Sequence, residues 1–477
     1  MTSAERLDPG LVRLGLVLVL GIVMSQLDST IVNVALRTLS VDLHAGLSTI
    51  QWVVTGYLLA LTVMIPTTGW AVDRFGAKRL FVTAAGAFAV SSVLCALSWS
   101  VGSLIGFRIL QGAAGALLMP VGQTILARAA GPARIGRVMM VVGVPALLAP
   151  VLGPVVGGLI VDHLSWRWIF LINVPVGVFS VVTSLRQLPA DQRPDTRQSF
   201  DFGGLALLGP GLALLVYGLS RAGAAGTFAT APAAWTMLGG LTLLALFAGY
   251  ALVRGERALI PPVYFRDRAF AAAGLVTLVI GVAVVGVMLL LPLYFQELRG
   301  QDALHAGLLL APQGIGAALV MPVAGRLTDR IGARWVVVAG MLATTAGTLA
   351  LTRVSADTSL WLLAPALVVR GMGFGATMMP TMAAGYRNLP PTAAGHASSV
   401  LQILSRTGGT LGAALMAVIL ARHVATAGHT PVGLARAYDA TFWWATAITA
   451  AGIVFALLLP RADRRDAPVR VASPGGR

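Results

Sequence analysis

Long apolar runs, separated by short polar segments, follow one another along almost the whole of this 477-residue chain. Each run has at least about 18 residues, the length that a helix needs to cross a bilayer. The runs do not alternate between apolar and polar positions, so they favour helices over the strands of a membrane barrel. We predict fourteen spans, at residues 14–36, 48–70, 80–99, 102–127, 136–161, 168–186, 203–220, 233–253, 270–296, 304–325, 335–352, 359–385, 397–420 and 441–459.

The composition leaves little room for a soluble domain. Hydrophobic residues make up 57% of the chain and charged residues 11%, against about 25% charged residues in soluble domains. The sequence therefore predicts an all-α integral membrane protein, since helices satisfy their own backbone in lipid. Cys95 is the only cysteine, which excludes a disulfide framework and a cysteine-based metal site.

The basic residues follow the predicted topology. With the N-terminus in the cytoplasm, 24 of the 34 Lys and Arg residues fall on the cytoplasmic side and 7 outside. This asymmetry predicts an even number of spans with both termini cytoplasmic. It also accounts for the net charge of +16. The basic residues follow the topology and are attracted to anionic lipid headgroups, so the charge does not indicate nucleic-acid binding. Lys78 is the only lysine, a bias typical of a GC-rich bacterial genome.

The chain contains an internal repeat. The segment 66–79 (PTTGWAVDRFGAKR) resembles 322–335 (PVAGRLTDRIGARW) at an offset of 256 residues. Two homologous halves are typical of a secondary transporter whose binding site lies between them. We expect an N-terminal six-helix bundle, a linker with two inserted helices, a C-terminal six-helix bundle and a cytoplasmic tail. Their predicted ranges are 1–186, 187–268, 269–460 and 461–477.

Asp28 is a carboxylate within the first apolar run. A charged Asp near the centre of a membrane helix costs roughly 2.5–3.5 kcal/mol on insertion scales, and such residues usually mark a proton or ion pathway. Arg108 lies at a similar predicted depth in the fourth run, with both residues roughly 10–12 Å below the outer surface. We predict that they pair and carry the coupling proton. A static, neutralising pair is the alternative.

The repeated loop predicts a cytoplasmic gate. Its glycines permit a tight turn, and Asp73 either caps a helix or pairs with an arginine of the other half. Such a latch would stabilise one state of an alternating-access transporter, whereas the alternative is a plain positive-inside anchor. The predicted gating residues are Gly69, Asp73, Arg74, Gly76, Lys78, Asp329 and Arg330.

The fifth span is rich in small residues and prolines. Small residues let helices approach closely, and prolines bend a helix. We predict a packing hinge that seals the external side, with generic kinking as the alternative. The hinge residues are Gly153, Pro154, Gly157 and Gly158.

Together these motifs resemble the major facilitator superfamily, specifically its fourteen-helix drug:proton antiporter branch. Residues 27–36 (LDSTIVNVAL) are similar to the first-helix motif of that branch, 153–158 to its antiporter motif, and 166–175 (WRWIFLINVP) to another hallmark. The resemblance implies the major facilitator fold over essentially the whole chain. It also implies a role in proton transfer for Arg108.

The chain departs from the family pattern in places. Arg37 stands where the family usually has Pro, and Ala149 where a Gly is frequent. No deep acid occurs in the second half, which argues against dicationic substrates. Arg370 and Arg406 lie near mid-membrane without an obvious acidic partner. They either bond to backbone carbonyls or receive an anionic or polar group of the substrate.

These observations predict a proton-coupled antiporter that exports amphiphilic small molecules, including drugs and antibiotics, and not an enzyme. The alternatives are a dedicated exporter of one endogenous metabolite or lipid, a nutrient symporter and a membrane scaffold. We expect the inner or plasma membrane as its location, membrane lipids as partners and a monomer. We expect no cofactor besides protons, no metal and no catalytic residues. Polarity within the spans predicts a substrate cavity lined by Asn33, Gln51, Tyr57, Gln111, Gln123 and Gln313.

Overall fold

The computed structural model describes residues 8–130, 135–191, 199–355, 358–428 and 430–460. Within these ranges the chain is helical and forms no strand, so the predicted all-α membrane fold is confirmed. Short 3₁₀ and π turns join or extend some of the helices. The predicted tail, residues 461–477, lies outside the described residues.

Eight helices form the first half. Their bounds are α1 Pro9–Asp42, α2 Leu47–Met64, α3 Thr68–Phe75, α4 Ala77–Ala96, α5 Val101–Ala130, α6 Ile135–His163, α7 Trp168–Leu171 and α8 Asn173–Gln187. Nine helices follow. Their bounds are α9 Phe202–Ala225, α10 Ala231–Arg254, α11 Arg268–Leu293, α12 Ala303–Leu308, α13 Ala311–Ile331, α14 Ala333–Leu349, α15 Leu360–Tyr386, α16 Ala394–Ala427 and α17 Pro431–Ala456.

Thirteen helical stretches of the described chain are long and apolar enough to cross a membrane. The predicted span at 136–161 coincides with α6, which is 29 residues long but is not one of those thirteen. The exact number of fourteen spans therefore stays a prediction.

The last helix begins ten residues before its predicted start at 441. Thr430 caps it by accepting a hydrogen bond from the backbone N–H of Gly433 over 3.1 Å. Asp439, which lies within this earlier part of the helix, accepts a 2.9 Å hydrogen bond from the backbone N–H of Val354. A charged residue can thus lie within a membrane helix when a neighbouring loop supplies its hydrogen bond.

The helices pack mainly within their own half. In the first half α1 packs on α6, and α5 on α2 and α4; in the second, α11 packs on α16, and α15 on α13 and α14. The halves meet along two seams: α6 contacts α13 and α15, while α16 contacts α3 and α5. The inserted helix α9 packs against α10, α2 and α16. The predicted domain boundaries stay predictions.

Candidate functional site

The predicted pair between Asp28 and Arg108 forms. Both side chains are fully buried, and Arg108 Nη1 donates to Asp28 Oδ2 over 2.5 Å. The helices α1 and α5 place the two residues at matching depth, as their positions in the apolar runs indicated. A buried pair of this kind is costly to break, because one charge would remain uncompensated.

Two more side chains donate to the same carboxylate. Gln111 Nε2 reaches Asp28 Oδ1 over 3.2 Å, and Asn173 Nδ2 reaches it over 2.8 Å. Asn173 is the first residue of α8, just after the short helix α7. It was not among the residues predicted for the site. The signal that could have found it is its place in the motif at 166–175.

Arg108 is held on several sides. It donates to Gln111 Oε1 over 2.6 Å and, through Nε, to the carbonyl of Val53 over 3.2 Å. Its guanidinium carbon lies 4.0 Å from the ring centroid of Tyr57, close enough for a cation–π contact. Arg108 Nη2 is buried and has no hydrogen-bond partner. The network therefore positions the guanidinium firmly but leaves one donor group unused.

The six predicted substrate residues lie in different places. Tyr57 and Gln111 are fully buried beside the charge pair. Gln123 is buried between the halves, where it accepts from Gln402 Nε2 over 3.3 Å. Asn33 and Gln51 are exposed. The sixth residue, Gln313, bonds to Arg370. The structure does not bring the six side chains together, and their role in binding substrate stays a prediction.

The first copy of the repeated loop, residues 66–79, contacts the other half through Asp73. Asp73 Oδ1 accepts from Arg128 Nη2 at 3.3 Å, within the same half. Asp73 Oδ2 lies 3.4 Å from His396 Nε2 at the start of α16. The cross-half contact that the structure shows for Asp73 is thus with a histidine, and a pair with an arginine of the other half stays a prediction. Gly69 is required nearby, because a Cβ atom there would collide with the His396 ring.

Tyr264 lies beside the contact between Asp73 and His396. The Tyr264 and His396 rings lie 5.9 Å apart. Burial, together with the carboxylates of Asp73 and Glu256, raises the pKa of Tyr264 to about 12. The phenol therefore stays neutral at physiological pH, and it adds no charge to the contact between Asp73 and His396.

The rest of the loop is tied to the linker. Gly76 has φ of +88°, a backbone conformation that glycine adopts without strain. Asp191 of the linker accepts from the backbone N–H groups of Lys78 and Arg79 over 2.7 and 3.0 Å. Lys78 Nζ donates to the carbonyl of Leu188 over 2.9 Å. These bonds cap the N-terminus of α4 with a segment that follows α8. Arg74 in this loop is partly buried.

The second copy of the loop has the same turn. Gly332 has φ of +87°, as against +88° for Gly76, so the repeat in the sequence is also a repeat in the backbone. Arg330 is exposed. The side chain of Asp329 lies outside the described part of the structure.

The predicted hinge in α6 contacts α1. A Cβ atom on Gly153 would collide with Thr30 Oγ1, and one on Gly157 would lie 2.8 Å from the carbonyl oxygen of Ile31. Gly158 faces open space, since a Cβ atom there would have no neighbour within 4 Å. Gly153 and Gly157 therefore permit the close packing of α6 on α1. Pro154 lies in the same helix, and its side chain is outside the described part.

Comparison with known proteins agrees with this architecture. The family model described as Major Facilitator Superfamily matches residues 18–413 and 269–476. A multidrug resistance protein B homolog of Mycobacterium tuberculosis is 42% identical, covering 87% of this chain and 77% of that protein. A tetracenomycin C resistance and export protein of Streptomyces glaucescens is 33% identical, covering 86% and 76%. The structure of a proton:xylose symporter has a TM-score of 0.66 at 14% identity, covering 94% and 96%.

Proposed function

The chain belongs to the major facilitator superfamily, and we propose that it exports amphiphilic small molecules in exchange for protons by alternating access. It is a multi-pass membrane transporter and not an enzyme. Its relatives are consistent with the drug:proton antiporter branch, and several of them are named as multidrug resistance proteins. We place it in the plasma membrane with both termini in the cytoplasm.

The observation that carries the proposal is the carboxylate of Asp28. It is fully buried in a membrane helix and accepts from three side chains, those of Arg108, Gln111 and Asn173. The hydrogen bonds favour the charged form, and the apolar surroundings favour the protonated form. A movement that withdraws one or two donors would therefore let the carboxyl group take up a proton.

Coupling follows if proton and substrate favour different states of the transporter. A ligand shifts a conformational equilibrium only by its difference in affinity for the two states. Helix α1 carries Asp28 and packs against α6, which itself contacts α13 and α15 of the second half. A movement of α1 on protonation of Asp28 can thus be transmitted through α6 to the seam between the halves.

The second candidate is a dedicated exporter of one endogenous metabolite or lipid. The tetracenomycin C export protein, 33% identical to this chain, is named for a single compound, and this favours the narrower activity. A substrate panel separates the two candidates, because a dedicated exporter responds to one chemical class and a multidrug exporter to several.

The experiment uses proteoliposomes that contain a pH-sensitive dye. Lipophilic cations, neutral drugs and anionic amphiphiles are added to the wild type, to Asp28→Asn and to Asp42→Asn. Asp42 lies on the same helix but is exposed and bonds to Trp166 Nε1 over 2.9 Å. We expect substrate-triggered proton movement in the wild type and Asp42→Asn, and none in Asp28→Asn. Proton movement that persists in Asp28→Asn would refute coupling through Asp28.

A further inference from the structure

The internal repeat gives Asp28 a counterpart in the second half. At the offset of 256 residues that aligns the two cytoplasmic loops, position 28 corresponds to Val284 in α11. Where the first half has a carboxylate, the second half therefore has an apolar side chain. An arginine, Arg370, nevertheless lies on α15 close to this position.

Arg370 of α15 lies against this position. Its Nη2 is 3.4 Å from the carbonyl oxygens of both Ala283 and Val284, and its Nη1 donates to Gln313 Oε1. In the first half Arg108 of α5 reaches the side chain of Asp28 on α1. At the same offset Arg108 corresponds to Ala364, so Arg370 lies six residues further along the chain, and it meets the backbone of α11 where Arg108 meets an acid.

The guanidinium of Arg370 is incompletely satisfied. The side chain is 1% exposed, its Nε is buried without a hydrogen-bond partner, and both carbonyl contacts are long. Among the described residues, no carboxylate lies within ion-pair distance of it. A buried guanidinium without a counter-ion is costly in a membrane. A bound anion would lower that cost.

A cavity adjoins the missing acid. It has a volume of about 70 Å³ and is lined mainly by apolar side chains, including Val284, Ile280 and Phe374. A second, smaller cavity shares these three residues and extends to Ala283. Pockets for drug-sized molecules measure about 300–1,000 Å³, so only part of such a molecule fits. The cavity is lined by α11, α15 and α16 of the second half, and Arg370 lies behind this lining rather than in it. The walls suit an aromatic or aliphatic group.

We propose that Arg370 recognises an acidic group of the substrate, which supplies the counter-ion that this buried guanidinium lacks. The preferred substrates are therefore amphiphilic acids, with an apolar body against Val284 and Phe374 and a carboxylate or phenolate on Arg370. This inference rests on the proposed export function and specifies its substrate class. It also explains why the second half retains an arginine at a depth where charge is expensive.

Arg406 is the competing candidate for the same role. It lies on α16 next to Ser405, which lines the cavity, and its Nε is also buried without a partner. Its Nη2, however, is 3.4 Å from Gln26 Oε1 of the first half. Arg406 thus reaches across the seam, and no feature of the repeat leaves an acid missing beside it.

The test compares 1-pyrenebutyric acid with its methyl ester, which keeps the apolar body and removes the charge. Efflux of both probes and the accompanying proton movement are measured in proteoliposomes. The proteins are the wild type, Arg370→Gln, Arg370→Lys, Val284→Asp and Arg406→Gln. Val284→Asp leaves Arg370 in place and supplies the missing carboxylate from the protein itself, so it competes with the acidic group of the probe.

We expect the wild type to prefer the acid. Arg370→Gln should raise the KM for the acid by roughly tenfold or more, the usual worth of a charge-assisted hydrogen bond, with the KM for the ester unchanged. Arg370→Lys should restore part of the preference, and Val284→Asp should remove it. Unchanged ester efflux shows that Arg370→Gln, Arg370→Lys and Arg406→Gln are folded. Val284→Asp alters the apolar wall of the cavity, so its folding is checked by its melting temperature.

Three results would overturn the proposal. The first is that the wild type transports the acid and the ester equally well. The second is that Arg370→Gln reduces efflux of both probes to the same extent. The third is that Arg406→Gln, but not Arg370→Gln, selectively reduces efflux of the acid. The export function is judged separately, from proton movement driven by either probe in the wild type. Absence of proton movement with both the acid and the ester would refute the function itself.

Discussion

Asn173 donates a 2.8 Å hydrogen bond to Oδ1 of Asp28, although the two residues are 145 positions apart in the chain. The bond ties α8 to α1 at the one fully buried carboxylate of the described membrane helices. Since Arg108 occupies the other oxygen, Asn173 helps to decide which way the carboxyl plane faces. It acts as a positioning residue for the proposed proton site.

We expect Asn173→Leu to disturb this site without unfolding the protein. The substitution keeps the branched shape of the side chain and removes a hydrogen bond to a charged group, worth about 1.5–3 kcal/mol. Substrate-triggered proton movement in proteoliposomes should then show a pH profile different from that of the wild type.

Asn388→Leu is the matched control, since Asn388 donates to Asp267 Oδ2 over 3.0 Å at an exposed site. Its pH profile should equal that of the wild type. Identical profiles for Asn173→Leu and the wild type would show that Asn173 only fills space.

The close contact of α6 with α1 predicts different effects for two neighbouring glycines. Gly153→Ala places a methyl group onto Thr30 Oγ1, whereas Gly158→Ala places it in open space. Overpacking of this kind costs about 1–3 kcal/mol. We therefore expect a lower melting temperature and slower transport for Gly153→Ala only.

Thr30→Ala should recover part of this loss in the double variant, because it removes the oxygen that the new methyl group meets. Equal melting temperatures for Gly153→Ala and Gly158→Ala would contradict the packing argument.

The contact between Asp73 and His396 predicts a weaker cytoplasmic seam in Asp73→Asn. The side chains of Asp73 and His396 are largely buried, so we expect Asp73→Asn to destabilise the closed seam by about 1 kcal/mol. The population of molecules with the seam open should then rise about fivefold. Ser398→Cys reports on the opening, since Ser398 is buried in the seam and donates to the carbonyl of Pro120 over 2.9 Å.

Maleimide should label this cysteine faster in the Asp73→Asn background. The native Cys95 is fully buried and adds little signal. Asp8→Asn, which alters an exposed cap of α1, should leave the rate unchanged. A labelling rate unaffected by Asp73→Asn would show that the seam is held by other contacts.

Loss of the Asp201 carboxylate should destabilise the inserted helices. This carboxylate is 4% exposed, caps α9 at Gly204, and accepts from Tyr250 Oη over 2.6 Å and from the N–H of Leu259 over 2.9 Å. Asp201→Ala would leave several buried donors without a partner, at about 1–3 kcal/mol each.

We expect a clearly lower melting temperature for Asp201→Ala. Asp8→Ala, which removes one exposed cap, should cost only about 0.5–2 kcal/mol. Equal shifts for the two variants would refute the role of Asp201 as the link between α9, α10 and the segment that follows.

Much of the fold could be predicted because membrane helices are encoded locally. An apolar run long enough to cross the bilayer must be helical, so the predicted spans and the observed helices coincide apart from their ends. The ends were less predictable. The last helix begins ten residues before its predicted start at 441, and Asp439 in this added part bonds to Val354, a loop residue 85 positions away.

The site was predictable only where a single residue breaks a strong pattern. Asp28 and Arg108 are conspicuous because charge is rare in such runs, and their equal depth indicated a pair. Asn173 and His396 are not conspicuous, since an amide or an imidazole near a helix end has many ordinary uses.

By itself the sequence determined the membrane helices, the internal repeat and the two charges of the first half, because each of these depends on residue type and local spacing. The tertiary structure alone decided which side chains meet: Asn173 with Asp28, His396 with Asp73, and Arg370 with the backbone of Val284. Such contacts depend on how far each helix is rotated and shifted against its neighbours. Those rotations and shifts are set by the packing of the whole bundle, and no single run of residues contains them.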